Sequence, residues 1–290
     1  MIMKKYLFLL LAVASLSLCS CKPVTNPAGD KTVFVTIEPL RYFVEQIAGP
    51  EWTVQTMVPA GSSPETYDPT PVQLVQFSNC RAFFAVGYLG FEEQWLDNLK
   101  ENAPHVVFYT TGDNVPLLEG HHHHHEGEKD EEGVDPHIWT TPKNALVMAK
   151  NICTAFSKMD PAHADDYLHN LVELEKTIMQ TDSAIRQQCV QGVQPAFVIY
   201  HPSLTYFAQD YGLEQISMEE GGKEPSPAQL KHLVQQCREK GAHTIFIQSE
   251  VNTQNAETLA KEIGGKLVPI NPLSYDWNGE MLRIIQALKP

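Results

Sequence analysis

Short apolar runs recur along the chain, and each is followed by a segment with helical spacing. TVFVTI (32–37) precedes PLRYFVEQIA, TVQTMV (53–58) precedes a turn and then TPVQLVQFS, and RAFFAVG (81–87) precedes FEEQWLDNL. HVVFYT (105–110) leads into a histidine-rich tract, after which TPKNALVMAKNICTAFSKM reads as a helix. The second half repeats the alternation. PAFVIYH (195–201) precedes LTYFAQDY, LEQISM (213–218) precedes SPAQLKHLVQQCREK, HTIFIQS (243–249) precedes TQNAETLAKEIG, and KLVPIN (266–271) precedes a last helix ending at Leu288. Strands that are apolar at consecutive positions are buried on both faces. Their alternation with helices predicts an α/β fold whose parallel sheets are covered on both sides.

Between the halves lies DPAHADDYLHNLVELEKTIMQTDSAIRQQ. Asp160 suits an N-cap and Pro161 the first helical position. Tyr167, Leu171, Leu174, Ile178 and Ile185 fall on one stripe at helical spacing, and no Gly or Pro intervenes before Gly192. At 1.5 Å per residue this helix runs roughly 40 Å, longer than one small lobe needs. The expected organisation is an N-terminal Rossmann-like lobe over 31–160, one long rigid linking helix over 161–190 and a C-terminal Rossmann-like lobe over 191–290. The competing arrangement is a long helix packed within a single domain.

The chain starts MIMKKYLFLLLAVASLSLCSCK. Lys4 and Lys5 precede an apolar run, Tyr6 to Leu18, that falls short of the ~20 residues a membrane-spanning helix needs. A basic start, a short apolar stretch and small residues after it describe a secretory signal. Leu18-Cys19-Ser20-Cys21 resembles a bacterial lipoprotein cleavage box, which makes 1–21 a signal peptide and Cys21 the lipid-bearing residue. Residues 22–30 then form a polar Pro/Gly tether. Acyl chains on one cysteine anchor a domain without a transmembrane helix. The expected location is therefore an exported, membrane-anchored lipoprotein facing the periplasm or the cell exterior.

Composition narrows the function classes. The net charge of −14 argues against nucleic-acid binding, which needs a basic footprint. Beyond the signal, Cys80, Cys153, Cys189 and Cys237 form no CxxC pair, so neither a zinc knuckle nor a thioredoxin motif is present. HExxH and GxSxG are absent too, which argues against a secreted zinc metalloenzyme and leaves no enzyme activity expected.

Ligands of open parallel sheets bind beyond the carboxyl ends of the strands. That rule selects Glu65 in PAGSSPETYDPTP, His201 at the end of 195–201, Glu250 after 243–249, Asn271 closing 266–271, Asp276 in NPLSYDWNG, and His137 in a Pro-bounded loop before a helix. All are nitrogen or oxygen donors and they come from both halves. Two imidazoles with carboxylates suit a borderline divalent cation such as Zn²⁺. Each also has a plain structural explanation: a strand-end hydrogen bond, a helix cap or a solvated turn.

The order GSSPETYDPTP, VGYLGFEEQWL, DPHIW, YHPSLTYFAQDYGL, IFIQSEVNTQNAETLAKEIGGK and INPLSYDW resembles the zinc/manganese substrate-binding proteins of metal ABC importers. The resemblance covers nearly all of the chain after the tether. It implies two α/β lobes bridged by a long rigid helix, a metal in the interlobe cleft, and a monomer that delivers Zn²⁺, or alternatively Mn²⁺ or Fe²⁺, to a membrane permease driven by a separate ATPase. His137 and His201 match the family's ligand motifs directly. Glu65 stands where the family usually has a His, and Asn271 where it usually has an Asp. Glu250 and Asp276 remain candidates for the missing charge. Two nitrogens and two oxygens suit either metal.

The resemblance also bears on the histidine tract. Zinc-importing members carry His- and acid-rich loops at the same place. His121, His122, His123, His124 and His125, flanked by acidic residues and glycines over 119–133, cannot pack a core and are expected to be disordered without metal. They form an expected auxiliary metal loop of weak, exchangeable sites, distinct from the fixed ligand His137. A solvated loop without a role is the alternative. A surface adhesin is a further reading, but no adhesive patch is legible.

Overall fold

The computed structural model describes residues 31–120, 133–219, 222–248 and 253–290. The signal and tether with Cys21, the tract His121 to His125, and Glu250 lie outside the described residues.

The first half forms a four-stranded parallel sheet in the order β2-β1-β3-β4, from β1 (Thr32–Val35), β2 (Thr53–Thr56), β3 (Ala82–Ala85) and β4 (Val107–Thr110). The second half repeats it with β7 (Ala196–Ile199), β8 (Glu214–Ser217), β9 (Thr244–Ile247) and β10 (Lys266–Pro269), in the order β10-β9-β7-β8. Both orders reverse direction beside the first strand of the half, between β1 and β3 and between β7 and β9. Open α/β sheets bind ligands at such switch points. Central strands β3 (AFFA) and β7 (AFVI) are buried at every position, as their unbroken apolar runs require. Every strand is shorter than its apolar run. The trimmed residues, among them Thr36, Val58, Val86 and Met218, stay buried as they enter the loops at the carboxyl edge.

Helices α1 (Glu38–Ala48), α2 (Pro71–Phe77) and α3 (Gly90–Asn102) connect the first strands. After β4 come β5 (Glu119–Gly120) and β6 (Gly133–Val134), two short antiparallel strands at the base of the tract that no apolar run announces. A 3-10 turn, Ile138–Thr140, leads into α4 (Pro142–Met159). The long α5 (Ala164–Gln191) follows, then α6 (Thr205–Tyr211), α7 (Pro227–Lys240), α8 (Gln254–Ile263) and α9 (Trp277–Ala287).

The 28 residues of α5 span about 42 Å. Tyr167, Leu174, Ile178 and Ile185 are buried along one stripe. They pack on α1 and α4 from the first half and on α9 from the second. The helix joins the halves as a packed spine rather than a free rod, and one continuous core runs from Phe34 and Phe83 through Ile178 to Phe197, Phe246 and Ile284. Asp160 does not cap it. A 3-10 turn, Pro161–His163, intervenes, and the Asp160 carboxylate instead accepts from Tyr167 Oη at 2.9 Å and pairs with His163 Nδ1 at 3.0 Å. Gly192 ends α5 at φ 103°, a conformation that favours glycine. Cys80, Cys153 and Cys237 are buried free thiols and Cys189 is half-buried. Among the described residues no helix is long and apolar enough to cross a membrane.

Candidate metal centre

His137 follows β6 and opens the 3-10 turn. Its ring is nearly buried, and the preceding Asp135 sets its direction. Asp135 Oδ1 accepts from the His137 backbone N–H at 2.9 Å and faces the ring Nδ1 at 2.8 Å. Burial pushes the Asp135 carboxyl up, but the hydrogen bonds from His137 and Thr205 outweigh it and hold the group below its ordinary range. A carboxylate on Nδ1 fixes the proton there and leaves Nε2 as the free donor, the arrangement found around metal-binding histidines. Trp139, two residues on, packs its ring 5.4 Å from the imidazole. Its indole N–H donates to Pro272 O at 2.8 Å, and Trp277 donates in turn to Trp139 O at 2.7 Å. These bonds pin the His137 turn to the segment after β10.

His201 leaves the carboxyl end of β7 on the other side of the cleft. Glu219, just past β8, accepts from its Nδ1 at 2.6 Å. Gln248, just past β9, donates to the His201 carbonyl at 2.8 Å and to Ser203 Oγ at 3.1 Å. The carboxyl ends of three neighbouring strands thus hold one imidazole.

The two rings meet across the cleft with Nε2 to Nε2 at 3.2 Å and ring planes at 71°. Each ring turns its Nδ1 to a carboxylate and its Nε2 toward the other ring, so that both Nε2 atoms face one point between them. A tetrahedral Zn²⁺ with bonds of about 2.0–2.1 Å sets its nitrogens about 3.3 Å apart. The observed spacing fits that requirement.

Glu65 and Asn271 line the same cavity of about 300 Å³ as both rings. The loop that carries Glu65 is braced throughout. Phe91 N donates to Pro64 O at 2.8 Å, Trp95 Nε1 to Asp68 at 3.1 Å, and Thr70 with Gln73 forms a capping box on α2. Among the described residues Glu65 Oε1 is buried without a hydrogen-bond partner, an orphaned oxygen that a bound cation would satisfy. The Asn271 side chain accepts from Leu273 N at 3.1 Å, and its backbone N–H donates to the buried Glu280 at 2.7 Å. Asp276 is a different case. Its carboxylate caps α9, accepting from Gly279 N at 3.1 Å, and it does not line the cavity, so the structure assigns it to helix capping. No three His, Cys, Asp or Glu side chains among the described residues are gathered tightly enough to complete a metal site as they stand. The two imidazole nitrogens stand 3.2 Å apart, with Glu65 on the wall of the same cavity.

Sequence reasoning had both histidines among its candidates but not the groups that hold them. Glu219 directly follows the apolar run 213–218, so the same rule applied to that strand would have selected it. Asp135 stands two positions before His137, where a carboxylate can reach back to the ring. Gln248 sits inside a run read wholly as strand.

Comparison with known proteins places the chain in a family. Residues 33–288 match the family described as zinc-uptake complex component A, periplasmic (ZnuA). The chain is 29% identical to the high-affinity zinc uptake system protein ZnuA of Bacillus subtilis over 273 residues, covering 91% of this chain and 85% of that one. It is 27% identical over 280 residues to the zinc-binding lipoprotein AdcA of Streptococcus pneumoniae, covering 93% of this chain but spanning only 56% of AdcA. A crystal structure of a zinc-bound ZnuA deletion mutant superposes with a TM-score of 0.80 at 31% identity, covering 89% of this chain and 98% of that one.

Proposed function

The chain belongs to the family of periplasmic zinc-uptake component A proteins, and from that premise we propose that it captures a divalent metal, Zn²⁺ foremost, for delivery to an ABC importer. The 3.2 Å approach of two carboxylate-held imidazole nitrogens is the observation that carries this reading. His137 and His201 are the fixed ligands, Glu65 the closing third and Asn271 an adjacent oxygen donor. Glu250 and the tract His121 to His125, auxiliary and weaker, remain assigned from sequence alone. Ligation requires both Nε2 atoms unprotonated, so acid opposes loading. The cargo passes to a membrane permease powered by a separate ATPase. The chain works as an exported monomer held by lipid at Cys21, with the lobes divided near 160 and 190. No catalytic step is assigned.

Competition binding of Zn²⁺ against Mn²⁺ on the purified chain tests this reading. One tight zinc equivalent is expected. Glu65→Ala should weaken it by at least about tenfold, the scale of losses at the edge of metal sites. Gly90→Ala should act in the same direction without touching a ligand. A Cβ there would lie 2.7 Å from Glu65 Oε2 and 3.2 Å from the Glu65 carbonyl, so the carboxylate must shift. Zinc binding no tighter than manganese binding, or unaltered in both variants, would remove Glu65 and the zinc preference from the proposal.

A further inference from the structure

The loop that carries His201 continues directly into α6, and the first turn of α6 reaches back across the cleft. Tyr206, 3% exposed, donates its hydroxyl hydrogen to the Asp135 carbonyl at 2.8 Å. The Tyr206 hydroxyl oxygen itself accepts from Leu118 N at 3.1 Å. Leu118 O in turn accepts from Asp135 N at 2.9 Å, next to the paired strands β5 and β6. The neighbouring Thr205 side chain hydrogen-bonds the Asp135 carboxylate. One residue of the first half, Asp135, is therefore gripped by two consecutive residues of the second half. It is also the residue that orients His137.

We propose that Tyr206 is a positioning residue: it locks Asp135, and through it the His137 ring, in register with His201, and so sets how slowly the captured metal is released. The inference rests on the metal-capture reading. His201 and Tyr206 lie five positions apart on one short segment. The second half thus supplies one ligand and, through a buried phenol, fixes the support of the other. Separating the halves must break the Tyr206 bonds before the imidazoles can part. Tyr206 also closes the two arms at the foot of the β5–β6 hairpin, Leu118 on one side and Asp135 on the other. Loosening that foot moves a His137 holder, and filling the cleft tightens the foot.

The test uses the full chain loaded with Zn²⁺ and stopped-flow release into excess chelator. The variants are Tyr206→Phe, Asp135→Asn, the double substitution and His201→Ala. Tyr206→Phe keeps the ring and removes only the hydroxyl. It should release zinc about tenfold faster, the lower end of losses for partners behind a ligand. The double variant should release no faster than Asp135→Asn alone, because both changes act on one imidazole. Strictly additive effects would make Tyr206 an ordinary packing residue and overturn the proposal. So would release from Tyr206→Phe within twofold of the parent while His201→Ala has lost tight binding, and the capture reading would then survive. Retention of tight binding by His201→Ala would instead overturn capture itself, and the latch with it. If Tyr206→Phe fails to fold, Thr205→Val, which leaves the phenol in place, carries the same comparison.

Discussion

His201→Ala is expected to lower zinc affinity by more than about a hundredfold, beyond the range for losing a partner behind a ligand, while leaving the apo fold intact. The ring is a quarter exposed, so its removal opens no closed cavity. The segment stays fixed by Gln248 on the His201 carbonyl and Ser203. What disappears is one of the two nitrogens that, among the described residues, stand at coordination spacing. His137→Ala should match it in affinity. There the Asp135 carboxylate keeps the backbone N–H of residue 137, so the turn has reason to persist. Thermal melts with and without metal give a clean reading. A ligand at a hundred times its dissociation constant stabilises a fold by about 2.7 kcal/mol, so zinc should raise the melting temperature of the parent and leave both variants unmoved. Full zinc-induced stabilisation in either variant would contradict the assignment of these two rings.

Glu92→Gln is expected to destabilise the fold by about 2–4 kcal/mol, from buried donors left unsatisfied at about 1–3 kcal/mol each. Glu92 is 1% exposed at the start of α3. One carboxylate oxygen accepts from Thr36 Oγ1 at 2.5 Å and Val86 N at 2.7 Å. The other accepts from Gly87 N at 2.6 Å and Leu89 N at 3.4 Å. Burial pushes this carboxyl up in pKa against the pull of those four donors, yet all four require an acceptor. Glutamine offers one oxygen and turns an NH₂ toward the remaining N–H groups. Because the 86–89 turn sets the start of α3, and Gly90 there supports Glu65, zinc affinity should fall along with stability. Chemical denaturation reads the first effect and calorimetry the second. A midpoint unchanged by the substitution would show that the four donors find other partners.

The fold was legible because strands buried on both faces leave continuous apolar runs, and AFFA and AFVI are unmistakable in that sense. His137 and His201 were legible because both follow structural boundaries that the chain writes locally. Glu92 was not. In FEEQWLDNL it reads as the wet face of a helix, and only the approach of β1 and the 86–89 turn buries it. Asp135 and Glu219 acquire their roles from a ring placed by backbone folding, and Tyr206 from a contact 71 residues away in sequence. The hairpin of β5 and β6 has strands of two residues, too short to show a period. Asp160 and Asp276 show opposite failures of one rule. The first had cap chemistry but bonds a tyrosine and a histidine, and the second was weighed as a ligand but caps a helix.

Trp139 has a consequence of its own. Its indole is sealed in the core, anchored at its N–H, and packed at a tilt of 56° against the His137 ring. Capture of a doubly charged ion on that imidazole, as proposed, would therefore change the electric field at a fixed chromophore. On that reading the indole is a built-in optical gauge, and its ultraviolet emission should report loading in real time without any dye.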